Sequence, residues 1–348
     1  MTLSPADFGP IWTSLAVGGL ILVVILLDSF LTSLTLKRAI GYVISGALFA
    51  IAAATFVVPP EGAAFFGVYQ GDAWALLLQR LVLVSVAIST LGSIDHVRAT
   101  TPRRQGEYYV LTLFSLLGML LLTGARDLLF LVVSFELMGI PLFILAALQK
   151  QDLPGAKSRL PAEAAMKFFV VGVVSTPMAL LGVSLLIGLS GTTDLAMIVR
   201  SPWSPLMQLG MVLILVGMGF KVGVVPFHMW VPDVYEASNT PFVAFLSTAP
   251  KVAGFAALAR VFLLGLDAWS EHWVPAVLVL CATTLVLGNL WALSQRTTKR
   301  LLAYSGIGHV GYILLGFLTV DQFGTAMVLF YLVAYSFTNL GAFLVVEA

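Results

Sequence analysis

The sequence predicts an all-α polytopic membrane protein of about 11 transmembrane helices, and three observations carry that prediction. Of its 348 residues, 59% are hydrophobic and only 10% are charged, whereas soluble domains carry about 25% charged residues. Its apolar runs recur at the length, about 20 residues, that a helix needs to cross a hydrocarbon core. The connections between them are short, which leaves no room for a soluble module. The formal net charge of +1 gives no field for nucleic acid or acidic partners. Cys281 is alone and sits in an apolar run, which excludes an intramolecular disulfide and a cysteine metal site. No basic n-region or small-residue cleavage site flanks the first apolar run, so a removable signal peptide is not expected.

The spans fall at 11–28, 39–58, 73–93, 108–124, 127–149, 162–189, 206–226, 240–265, 273–293, 300–319 and 323–346. The third carries Arg80 two turns from its outer end, where an anchor to the interface is expected. The fifth carries Glu136 at mid-span with Pro141 after it, and the sixth carries Lys167 near its inner end. The longest connection, 190–205, contains LAMIVR, which predicts a brief helix at the membrane surface. The seventh span holds Lys221 well inside an apolar helix and is broken at Pro226, which frees the carbonyl of Val222. His228 would lie about 10 Å beyond Lys221 on an unbroken helix. Asp233 and Glu236 follow near the inner surface, where a solvated loop is expected. The eighth span holds Lys251 directly after Pro250, and the tenth holds His309 at mid-span.

Orientation follows from the loops. With the N-terminus outside, the inner loops hold Lys37, Arg38, Arg98, Arg103, Arg104, Lys150, Lys157, Arg159, Arg296, Lys299 and Arg300. The outer loops hold only Arg126, Arg200 and Arg260, an asymmetry that places the N-terminus outside and the C-terminal end inside.

Charges in the wrong solvent carry the functional argument. A lysine at the centre of a membrane helix costs roughly +2.5 to +3.5 kcal/mol on insertion scales. Glu136, Lys221 and Lys251 together, unpaired, would cost roughly 10 kcal/mol, comparable with the whole stability of an ordinary domain, about 5–15 kcal/mol. They must be paired, hydrated or neutral, and a Glu136–Lys221 pair across two helices is the preferred assignment. Lysine changes protonation state readily when buried, whereas arginine stays charged and suits a static brace. An opened backbone beside a charge is tolerated only against protein or a water-filled cavity. The stretch from Gly217 to Pro241 therefore reads as an ion or proton site. His228 and His309 are candidate relays between buried groups and solvent.

Two motifs are set aside. Gly306-Ile-Gly308-His-Val-Gly311 matches GxGxxG but lies inside an apolar helix and follows no strand, so it is no dinucleotide site. Gly219 and Gly223 match the small-xxx-small pattern and are read as letting a neighbouring backbone approach Lys221. No flavin, haem, iron–sulfur or zinc ligand set is visible in the sequence.

Broken helices beside mid-membrane charges point to a transporter built from inverted repeats. The division expected is 1–107 as three N-terminal helices, 108–265 as a first five-helix repeat, and 266–348 as an incomplete second repeat. The run PFHMWVPDVYEASNTPFVAFLSTAPKVAGFAALAR, with FELMGIPLF upstream and KRLLAYSGIGHVGYILLG downstream, resembles the subunit N family of bacterial NADH:quinone oxidoreductase, complex I. That family is antiporter-like, with 14 transmembrane helices, a broken helix around Lys221–Pro226 and a second broken helix in its twelfth span. This chain ends after the eleventh span, at FLVVEA, so the resemblance implies that three C-terminal helices are lacking. It also implies proton translocation in the inner (plasma) membrane, driven by electron transfer from NADH to quinone in other subunits. Glu136, Lys221, Lys251, Lys167, His228 and His309 would be the proton-transfer residues. FMN, iron–sulfur clusters, NADH and quinone would be held by partner subunits and no cofactor or metal by this chain. Its partners would be neighbouring antiporter-like and small membrane subunits and the lipid bilayer. The alternative is a subunit of a multisubunit sodium/proton antiporter without redox coupling.

Overall fold

A computed structural model describes residues 5–31, 33–148 and 159–348. Lys150 and Lys157, counted above among the inner basic residues, lie outside these. Every predicted span is helical: α1 (Trp12–Phe30), α2 (Leu34–Ala54), α3 (Ala73–Thr100), α4 (Gln105–Thr123), α5 (Leu128–Ala147) and α6 (Arg159–Ser190). After the short α7 (Leu195–Ile198) come α8 (Pro205–Val222), α9 (Trp230–Ala237), α10 (Thr240–Phe262), α11 (Ser270–Leu293), α12 (Thr298–Leu315) and α13 (Gln322–Glu347). Among the described residues, 10 helices are long and apolar enough to cross a membrane. The predicted eleventh, α12, has 18 residues, but Lys299, Arg300, Ser305 and His309 dilute its apolar character.

Side chains set the helix ends. Asp72 caps α3 by accepting from Ala75 N at 2.9 Å, Asp127 caps α5, Asn239 caps α10 and Asp321 caps α13. Each satisfies one or two of the amides that a first turn leaves without partners. The brief helix expected in LAMIVR is α7, capped by Asp194. The all-α expectation misses one element, an antiparallel hairpin of β1 (Gly62–Ala64) and β2 (Tyr69–Gly71). Tyr69 bridges to Ala125 and Asp127 to Asp194, so the connections at this end are stitched together. Three-residue strands give no readable alternation, which is why the sequence does not announce them.

The centre of the fold is α10. Apart from Lys251, Arg260 and a few hydroxyls it is apolar all round, as suits a helix enclosed by others, and every residue from Pro241 to Phe262 is buried. It packs on α3, α4, α8 and α13. Beside it α6 and α8 approach closely, and the glycines responsible are Gly182, Gly210 and Gly217 rather than Gly219. A Cβ on Gly217 would lie 2.5 Å from Ala179 Cβ and 2.8 Å from Ser175 O, whereas one on Gly219 would meet only Phe227 and Val224 of its own segment. Gly217→Ala is therefore expected to push α6 from α8 at a cost of about 1–3 kcal/mol. The check is the thermal melting of the purified protein, and an unchanged midpoint would contradict the close approach.

Candidate functional site

The break in the seventh span is built by Gly223. It adopts φ 82° at the end of α8 and closes the helix by donating from its N–H to Phe220 O, while Val224 N donates to Gly219 O. That is a Schellman cap, which needs a left-handed residue. Lys221 consequently stands in the last turn of α8 rather than well inside a helix. The carbonyl end of a helix dipole favours a cation there. The chain then turns through Pro226 and restarts as α9, so His228 lies in the connection and the unbroken-helix spacing from Lys221 does not apply. Val225 N donates to Thr284 Oγ1 at 3.1 Å, and Trp230 Nε1 donates to Phe220 O at 3.0 Å, which ties both sides of the break.

Lys221 is 5% exposed, and its ammonium has no hydrogen-bond partner among the described residues. It lies 4.9 Å from the ring centre of Phe135, 5.2 Å from Phe143 and 5.8 Å from Phe220, an aromatic enclosure that offers a cation only ring quadrupoles. Gly139 leaves the space for it, since a Cβ there would overlap Lys221 Nζ. Gly139 and Phe135 flank Glu136 on α5, so the ammonium reaches that helix within a turn of the carboxylate.

The expected Glu136–Lys221 contact pair does not form. The Lys221 ammonium makes no ion pair with Glu136 and, among the described residues, no hydrogen bond. Glu136 Oε1 instead accepts from Thr176 Oγ1 of α6 at 2.9 Å. Glu136 also faces a groove of about 590 Å³ between α5 and α6, walled by Ile140, Phe143, Met166 and Phe169. Rotation about the α5 axis turns the carboxylate toward α6.

Lys251 is 1% exposed, and its ammonium donates to Gly306 O at 3.3 Å. Tyr335 and Tyr235 present their rings to it at 5.6 and 5.8 Å. Gly306 is small because a Cβ there would lie 3.2 Å from Lys251 Nζ and 3.4 Å from Tyr335 Oη. Tyr335 Oη donates to Ser247 O at 2.9 Å and accepts from Asn339 Nδ2 at 2.9 Å. His309, one turn along α12 from Gly306, pairs its Nδ1 with Tyr331 Oη at 2.7 Å, and its ring centre is 5.5 Å from that of Tyr335. Tyr331, Tyr335 and Asn339 were missed from the sequence. The signal was there as a Tyr–Asn pair at i, i+4 on one face of an otherwise apolar helix.

The structure sets the remaining predicted residues apart from these two chambers. His228 stacks on Trp291 with ring centres 5.1 Å apart. Lys167 is half-exposed and pairs with Glu163 at 2.9 Å and Asp233 at 2.8 Å. Asp233 and Glu236 belong to α9, not to a solvated loop, and both pair with Arg300 of α12. Arg80 donates to Thr55 Oγ1 and O at the end of α2 and lies over Phe56. Arg260, counted above in an outer loop, is in the last turns of α10, buried and paired with Asp72. Gly308 and Gly311 of the GxGxxG match pack against α11 at Asn289 and Leu285. Among the described residues no group of three or more His, Cys, Asp or Glu is placed to hold a metal ion.

Residues 125–348 match the family described as NADH:quinone oxidoreductase/Mrp antiporter, TM. NADH-quinone oxidoreductase subunit N of Heliobacterium modesticaldum is 40% identical over 279 residues, 80% of this chain and 58% of that protein. The Chloroflexus aggregans subunit N is 36% identical over the whole chain and 72% of that protein. A chain of respiratory complex I from Thermus thermophilus superposes with a TM-score of 0.79 at 33% identity, over 96% of this chain and 70% of that one. A chain of the Mrp complex from Dietzia sp. superposes equally well, TM-score 0.79, over 98% of this chain and 64% of that one. At 20% identity that likeness speaks for the fold alone. Against several of these relatives the chain spans 58 to 66% of their length. The chain belongs to the NADH-quinone oxidoreductase subunit N family, a branch of the NADH:quinone oxidoreductase/Mrp antiporter membrane proteins.

Proposed function

We propose that this chain works as a membrane subunit of a proton-translocating NADH:quinone oxidoreductase, moving protons while partner subunits carry electrons from NADH to quinone. The observation that supports this most is the pair of lysines 5% and 1% exposed, neither with a carboxylate in ion-pair contact, on either side of a helix break. Such groups are costly and suit a site that loads and unloads a proton. In this reading Lys221 takes up a proton in its aromatic enclosure, and Glu136, one turn away on α5, biases its occupancy by approaching or turning to Thr176. Lys251 is the next stop, and His309 with Tyr331 carries the proton onward. His228 and Lys167 lie toward the inner face. FMN, the iron–sulfur clusters and quinone belong to partner subunits, and other membrane subunits and lipid cover the apolar exterior. The bacterial inner membrane, with the N-terminus outside, is the setting that the loop charges favour. The repeats divide at 108–265 and 266–348, with 1–107 outside them.

The test is NADH-driven proton uptake by inverted membrane vesicles from a strain lacking the gene, with and without its restoration. Restored uptake in sodium-free buffer is expected. A strict sodium requirement, or restored uptake with no NADH oxidation in the same vesicles, would instead support a cation/proton antiporter.

A further inference from the structure

The eight-residue helix α9 sits between the two lysine chambers and touches both. Trp230, at its start, stacks on Phe168 of α6 at 4.2 Å and packs on Phe220, a wall of the Lys221 enclosure, at 5.5 Å. Phe168 in turn packs on Phe143, another wall, at 4.6 Å. Tyr235, in the last turn of α9 and also buried, presents its ring to the Lys251 ammonium. Between them α9 carries Asp233, and Glu236 follows Tyr235. Asp233 pairs with Lys167 of α6 at 2.8 Å and Arg300 of α12 at 3.0 Å, and Glu236 with Arg300 at 2.9 Å. Thr297 donates to Glu236 at 3.1 Å, and Lys299 donates to Ser238 O, just past the end of α9, at 2.6 Å.

Exposed ion pairs contribute little stability, about 0–1 kcal/mol each, so this network is poorly explained as reinforcement. Its geometry does something else. Aromatic contacts and charges both fix α9 to α6, and the charges also fix it to α12. Lys167 and Phe168 are consecutive residues of α6, so the ion pair and the ring stack are a single attachment.

We propose that Lys167, Asp233, Glu236 and Arg300 form a clasp that holds α9 between the two chambers, making Lys167 a positioning residue that keeps its proton throughout. The proposal rests on the proton-translocation reading above and refines it by removing Lys167 from the proton route. With the clasp closed, Trp230 backs the Phe220 wall of Lys221 and Tyr235 walls Lys251. With it open, α9 is free to move and both chambers lose a wall together.

Arginine separates the two roles for residue 167, since a guanidinium makes the ion pair but does not release its proton. The assay is NADH-driven proton uptake per NADH oxidised in inverted vesicles, with assembled complex quantified on native gels. Lys167→Arg is expected to retain the wild-type ratio. Lys167→Met and Asp233→Asn are expected to lower it by about 10-fold to 10²-fold, the scale for a reacting group displaced by about 1 Å. Asp233→Glu should regain most of the loss. Lys167→Arg falling as far as Lys167→Met would make Lys167 a proton carrier and overturn the clasp, as would a wild-type ratio in Asp233→Asn. If Asp233→Asn does not assemble, Glu236→Gln takes its place with a smaller loss expected, and a wild-type ratio there would equally overturn the clasp. Lys221→Met run alongside separates this from the wider reading: uptake unchanged there would defeat proton translocation through Lys221 itself, whatever the clasp does.

Discussion

Replacing Lys221 by methionine is expected to abolish proton uptake through this chain while leaving the fold at least as stable. The two effects have opposite signs for a reason. Lys221 has no hydrogen-bond partner and no carboxylate in contact, so its ammonium is held by ring faces, the end of α8 and the more distant charge of Glu136. A lysine at such depth costs roughly 2.5–3.5 kcal/mol, and methionine fills nearly the same volume without that cost. A structural tie would behave in the reverse way, because removing one partner of a buried pair strands the other. Loss of a positioned proton-transfer group lowers rates by about 10²-fold to 10⁴-fold, so uptake depending on this chain should fall to background. Melting of the purified complex and vesicle uptake read the two arms independently. A lowered melting midpoint with normal uptake would make Lys221 a brace.

Arg260→Met is expected to do the opposite, weakening the fold through a contact remote from the proton route. Arg260 is 5% exposed and uses its guanidinium fully. Nε donates to Thr123 O at 2.8 Å, and the two terminal nitrogens each meet an Asp72 oxygen at 2.6 Å. This joins α10 to the cap of α3 and to the end of α4. Breaking a buried pair costs about 3–5 kcal/mol, and because the Asp72 side chain is 36% exposed, water relieves part of it, which places the loss near about 3 kcal/mol. Arg260→Lys should recover only part, since an ammonium cannot span both oxygens. A melting midpoint equal to wild type in Arg260→Met would show that the pair is not holding these elements together.

Much of this was legible because membrane depth is written along the chain. Apolar length predicts the helices, and the sequence GFKVGVVPFH predicts a break because Gly and Pro there have few other uses. A lysine or glutamate inside an apolar run identifies itself. Rotation about a helix axis is not written in the same way. Glu136 stands out within its apolar helix, yet it turns to Thr176 instead of meeting Lys221. Asp233 and Glu236 looked solvated because α9 is too short for its apolar face to show as periodicity against the spans around it. Arg260 was taken for a loop residue because α10 continues almost to the edge of its apolar run, and Asp72, its partner, is 188 residues away. The hairpin at Gly62–Gly71 is too short to show as alternation, and the role of the Tyr335–Asn339 pair depends on α13 lying beside α10.

The central claim is that Lys221 changes its protonation state as protons pass. Lys221→Arg tests it most directly, because arginine keeps the charge and the ring contacts but does not release a proton at physiological pH. The measurement is proton uptake per NADH oxidised in inverted vesicles holding the assembled complex. The account predicts that NADH oxidation persists and that uptake through this chain is lost in Lys221→Arg as completely as in Lys221→Met. Wild-type uptake in Lys221→Arg would mean that a fixed positive charge suffices at this position, and the proposed route through Lys221 would be wrong.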